Sequence, residues 1–203
     1  MLTISDRERI LQAMAECCAE AGYAETQIGD VLARAGVEPD SFESHFSGKE
    51  DCALAALNKI VSETLARISM AAPRAGDVIE RRKFEVKAIL ELMAARPAFA
   101  SLLYVGARQG GTARMHDSYE SAARVLALMM ERAGDAGGRP SATARAILGG
   151  AEAVVRQELA TGRAATLPRL LPDFVYAALV PFVGQREALR QAKLAARVAA
   201  EEE

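Results

Sequence analysis

Histidine and cysteine are scarce in this chain. Two histidines, His45 and His116, and three cysteines occur among 203 residues. Cys17, Cys18 and Cys52 have neither a metal-ligand spacing nor a disulfide framework. Adjacent residues on a helix diverge by about 100°, so Cys17 and Cys18 read as core filler rather than a redox pair. There is no phosphate loop, nucleophile elbow or metalloprotease helix motif. His116-Asp117 are neighbours that cannot face each other on a helix. No catalytic residue, metal or cofactor is therefore expected. Hydrophobic residues make up 51% of the chain, yet no apolar run looks long enough for a membrane span. The opening MLTISDRERI has no apolar leader and carries acids early, so no membrane partner and a cytoplasmic location are expected.

Positive charge is also short where it would be most useful. Residues 1–56 hold four bases (Arg7, Arg9, Arg34, Lys49) against eleven acids, a net of −7, while the rest of the chain is +5. Phosphate neutralisation supplies most non-specific DNA affinity, so this balance is backwards for a DNA reader.

Residues 22–52 nevertheless have the pattern of one. Thr26 is a helix N-cap candidate, followed at helical spacing by Ile28, Val31, Leu32 and Ala35. Gly36 allows a sharp turn, with Val37 as an apolar plug beneath it. Pro39 suits a first helical position, and Phe42 and Phe46 lie four apart on one face. This is a helix-turn-helix, whose second helix, Pro39 to about Phe46, would enter a major groove. Ser41, Glu43, Ser44 and His45 are its groove-facing candidates: serine bonds several base edges, a carboxylate accepts from cytosine N4, and histidine donates to phosphate. The Thr26 hydroxyl and the unpaired amides in the first turn of the helix it would cap form a phosphate seat, with Gln27 beside it. Glu38, Asp40 and Glu43 lie near the same phosphates and oppose binding.

Gly22-Tyr23, Thr26, Ala35-Gly36-Val37, Phe42, His45-Phe46 and Lys49-Glu50 resemble, without a gap, the N-terminal signature of the TetR family of bacterial transcriptional regulators. The chain departs from that pattern at Leu32, Asp40, Glu43 and Cys52, and two of these fall on the second helix of the motif. The resemblance implies that Lys49 contacts phosphate and that Arg7 or Arg9 lies near the DNA backbone. It also implies a homodimer on a palindromic double-stranded operator and a small-molecule effector in the C-terminal part.

The remaining chain reads as helices separated by breakers. Ser5 and Glu8 form a capping box for a helix over 5–21. Further helices are expected over 49–72, from Asp77 to Arg96, from Pro97 to Val105, over 113–133, over 141–161 and over 167–183. Gly134–Pro140 reads as a flexible loop and 184–203 as a solvated or frayed helical tail. No stretch alternates with period two, so the fold is expected to be all-α. It divides into a three-helix DNA-binding domain, 1–48, and a helical ligand-binding and dimerisation domain, 49–203. Residues 146–184 resemble the family's closing helix pair, which implies a dimer interface. Phe84, Phe99, Tyr104, Met115, His116, Tyr119 and Met129 are candidates to line an effector cavity, whose apolar bias points to a largely hydrophobic ligand. The expected function is a repressor released by that effector. The alternative is a protein of the same fold, with weak or lost DNA binding, acting as a ligand- or protein-binding module.

Overall fold

A computed structural model describes residues 5–71, 77–107, 110–131 and 142–201. The described residues are helical, without strands: α1 (Asp6–Ala21), α2 (Ile28–Ala35), α3 (Pro39–His45), α4 (Lys49–Ala71), α5 (Val78–Ala95), α6 (Pro97–Ser101), α7 (Ala113–Glu131), α8 (Ala142–Ala160), α9 (Leu171–Val183) and α10 (Gln185–Glu201). A π-helical segment, Leu102–Gly106, continues α6, and a 3-10 segment, Ala164–Leu170, precedes α9. The chain packs as two compact units, one of Met1–Ser62 with Pro97–Ser121, the other of Glu63–Arg96 with Ala122–Glu203. The boundaries between them fall inside α4, between α5 and α6, and inside α7.

In the first unit α1 is central. Ser5 caps it by accepting from the Glu8 amide at 3.3 Å. Ile10, Leu11, Ala13, Met14, Ala15, Cys17 and Cys18 are all buried, which leaves few sides of α1 open. The reason is that α1 packs against α2 and α3 and also against α6 and the π segment. Residues 17 and 18 point apart and still both meet protein. Burial pushes all three thiols up, that of Cys52 to about 12, so they are protonated and inert near neutral pH.

In the second unit α9 packs on α10 and α5, and the 3-10 segment packs on α5 and α8. The expectation of a frayed tail is corrected here. Ala188, Ala192 and Ala195 are buried on α10, as is Gln191. Alanines at three- and four-residue spacing make a narrow face that admits close approach of another helix. Gln191 donates to Glu187 Oε1 at 2.8 Å and accepts from Lys83 Nζ at 3.2 Å, which ties α10 to α5.

Three other expectations shift. The helix expected from Leu167 is a 3-10 segment until Leu170, because Pro172 lacks the amide that a helix begun at Leu167 would need there and instead sits in the first turn of α9. The helix expected over 97–105 is α-helical only to Ser101, and the Ala107 amide then reaches Leu102 O at 2.9 Å, an i+5 bond. Ala164–Val183 is long and apolar enough by composition to cross a membrane, although no span was expected. Three prolines interrupt it, and it packs against α5, α8 and α10. The expected stop at 72–76, residues 108–109 and the loop at 134–140 lie outside the described residues.

The second unit also buries an ion pair. Arg82 and Glu85 side chains are 7% and 8% exposed and meet at 2.7 Å. Desolvation lowers the Arg82 value and raises that of Glu85. Removing one partner of such a pair leaves an uncompensated buried charge. Arg82→Met should therefore destabilise the protein by about 3–5 kcal/mol in urea unfolding, and Arg82→Met/Glu85→Leu should recover most of that loss. A double variant as unstable as the single one would contradict this account.

Candidate nucleic-acid interface

The head is built from three helices and a clamped turn. Eight-residue α2 ends at Gly36, which takes φ +62° and donates from its amide to Leu32 O at 2.9 Å. Glycine adopts that left-handed conformation without a Cβ clash. α3 follows, with Pro39 in its first turn and Glu38 at its N-cap, making no side-chain capping bond. Phe42 and Phe46 are buried with ring centroids 5.5 Å apart, so they anchor one side of α3. Asp40, Glu43 and Ser44 share the opposite, exposed face, and His45 is exposed beside it. Ser44 donates to Ser41 O at 2.7 Å.

The structure turns three of the expected DNA-contacting side chains inward. Thr26 is 1% exposed, and its hydroxyl donates to Gly22 O at 2.8 Å. It is not the cap of α2: that position is Gln27, which is exposed and makes no side-chain capping bond. The Ser41 hydroxyl donates to Asp6 Oδ2 at 2.7 Å. The Lys49 ammonium donates to Tyr23 O, Ala24 O and Thr26 O at 3.0, 3.2 and 2.9 Å, and lies 4.5 Å from the Tyr23 ring centroid. An ammonium has three N–H groups, so Lys49 is fully engaged within the head.

Two of the arginines are committed in the same way. Arg9 donates to Ala35 O at 3.0 Å, Gly36 O at 3.1 Å and Asp6 Oδ1 at 2.8 Å. Arg34 makes two bonds of 2.6 Å to the Glu20 carboxylate. Arg7 is exposed, its guanidinium 5.6 Å over the Phe46 ring. Bonds from Arg9 and then Ser41 hold the Asp6 carboxyl below the usual range, and Arg34 does the same to Glu20. Arg34, Glu20, Asp30 and Cys17 line a shallow cleft of about 380 Å³ between α1 and α2, with the Arg34–Glu20 pair closed on itself.

Residues 10–56 match the family model described as bacterial regulatory proteins, tetR family. The N-terminal head is thus similar to that of this family. The TetR-like architecture extends along the chain in solved structures. A fatty acid degradation regulator, FadR, from Bacillus halodurans superposes with a TM-score of 0.74 at 20% identity, covering 92% of this chain and 99% of that one. FadR from Bacillus subtilis, in complex with stearoyl-CoA, gives 0.71 at 16% identity, covering 87% and 97%. A TetR-like transcriptional regulator from Rhodococcus sp. RHA1 gives 0.65 at 16% identity, covering 91% and 99%. At these identities the likeness is one of fold. No curated protein sequence matches the chain.

The residues expected around an effector are distributed over both units. Phe99, Tyr104, Met115 and Tyr119 are buried in the first. Phe84, 45% exposed, and half-buried Met129 belong to the second. The His116 side chain is 53% exposed, with Nε2 4.0 Å from Glu120 on its own helix, which takes it out of a buried cavity wall.

Asp6 and Arg9 are the residues that sequence reasoning under-read. Their i, i+3 spacing was visible, but their contacts with α2 and α3 lie 26 to 35 positions away. Lys49, expected at phosphate, is bonded to three carbonyls. Lys49→Met keeps the stem and removes three charge-assisted bonds from the loop before α2. It should lower stability by about 2–3 kcal/mol in thermal or urea unfolding. Unchanged stability would show that the clamp contributes nothing.

Proposed function

We propose that this chain is a homodimeric, cytoplasmic TetR-family regulator that reads a palindromic operator with α3 and is released by a small, largely apolar effector. The observation that carries this reading is the helix-turn-helix itself: α2, the left-handed turn at Gly36, and α3 anchored by Phe42 and Phe46 with an open outer face. Glu43 and Ser44 would read base edges, with cytosine N4 a partner for the carboxylate. Arg7, His45, Gln27 and the uncapped amides of α2 would meet phosphate. Thr26, Ser41 and Lys49 support that surface from inside. Long-chain acyl thioesters are the effector class to test, because a structural neighbour is a FadR protein bound to stearoyl-CoA. Packing of α1 on α6 and the π segment gives such a ligand a route to the head.

A second reading, a ligand- or protein-binding dimer that does not grip DNA, is favoured by one observation. Arg9, Arg34 and Lys49 are bonded internally while Glu38, Asp40 and Glu43 are exposed. A salt titration on genomic fragments separates the two. A working reader with Arg7 as its main phosphate cation should show a shallow slope of log K against log salt, on the order of −2 to −4 per dimer. Arg7→Ala should remove about 2 of it. No retained fragment at low salt, with or without stearoyl-CoA, would leave the second reading.

The dimer has a test of its own. Ala146, Gly149, Gly150, Ala153 and Gln157 form one exposed face of α8, and a Cβ at either glycine would meet nothing within 4 Å. In a single chain, replacing a helical glycine should add about 1 kcal/mol of stability. If this face meets a second copy, Gly149→Leu/Gly150→Leu should instead shift the protein towards monomer in sedimentation velocity. An unaltered dimer would place the interface elsewhere.

A further inference from the structure

We propose that Asp6 and Arg9, in the first turn of α1, position the recognition helix α3; this role rests on the DNA-reading function above. The seven-residue α3 spans about two turns, too short to hold its pose alone. Phe42 and Phe46 anchor one side, but Glu38 makes no side-chain cap at its start. Asp6 supplies the missing restraint, with Oδ2 accepting from the Ser41 hydroxyl at 2.7 Å and Oδ1 accepting from Arg9 at 2.8 Å. The other arm of Arg9 binds Ala35 O and Gly36 O, so the same guanidinium fixes the end of α2 and the turn. A cation there also complements the α2 dipole. Two neighbouring side chains thus join α1 to the end of α2, the turn and the first turn of α3.

Electrostatics and positioning predict opposite signs for Asp6. Removing a carboxylate from a head that faces phosphate should tighten DNA binding if charge alone matters. If Asp6 sets the pose of α3, its removal should weaken specific binding. The test uses the full-length wild type with Asp6→Asn, Asp6→Ala, Ser41→Ala and Asp6→Ala/Ser41→Ala. The probes are a genomic fragment retained by the wild type and a random-sequence duplex. Amide exchange over residues 38–46 is followed in parallel. Asp6→Ala and Ser41→Ala should each weaken the specific complex about tenfold, the size expected for one charge-assisted bond. The double variant should be no worse than either single one, because both remove the same bond. Asp6→Asn, which keeps an acceptor for Ser41, should fall between wild type and Asp6→Ala. The random duplex should bind equally or more tightly, with the salt slope unchanged, and α3 amides should exchange faster while α4 is unaffected. Specific binding by Asp6→Ala as tight as wild type, or additive losses in the double variant, would overturn the proposal. If the wild type retains no fragment, the DNA-reading function fails. Exchange then decides positioning by itself: unchanged α3 protection in Asp6→Ala overturns it.

Discussion

The carbonyl oxygens flanking α2 are bound by cations from other helices. Lys49, at the start of α4, holds three carbonyls of the loop before α2. Arg9, from α1, holds two at its end. A helix of eight residues is marginal in isolation, since nucleation costs more than so few bonds return. Packing of Val31 and Ala35 against α1 supplies the apolar share, and the two clamps set where each end lies. The turn at Gly36, the entry into α3 and the direction of the exposed face all follow from those ends.

This arrangement sets the electrostatic character of the head. Carbonyl clamps and the Arg34–Glu20 pair occupy three of its four bases, while the acids of α3 stay in solvent. The imbalance in the sequence is therefore sharper in the folded head than in the composition. A reader built this way depends on helix amides, a few exposed polar side chains and an accurately held α3 more than on a field of positive charge. For the proposed DNA reader, recognition rests on geometry, held in the proposed positioning role by Asp6, Arg9 and Ser41.

The second unit uses a different economy of polar groups. Buried Arg82 and Glu85 neutralise each other, and Gln191 links α10 to α5 through Lys83. Small residues do the packing on α10, and small residues are exposed along α8. The same composition thus serves one helix as a buried face and leaves another open. Alanine and glycine have too little side chain to declare which, so the tail that looked solvated proved to be packed.

By itself the sequence determined the local structure: the N-cap at Ser5, the left-handed turn at Gly36, the entry proline of α3, the aromatic anchors and the all-helical character of the described residues. Each depends on a few consecutive residues, where spacing and backbone preference suffice. The family signature lies in the same stretch for the same reason. Only the tertiary structure decided what the polar side chains do. Thr26, Ser41 and Lys49 looked outward because polar residues usually do, but each had a partner brought close by folding: Gly22 O across a turn, Asp6 on α1, and three carbonyls more than twenty residues away. A hydrogen bond depends on tenths of an ångström and on which groups meet, and residue spacing carries neither.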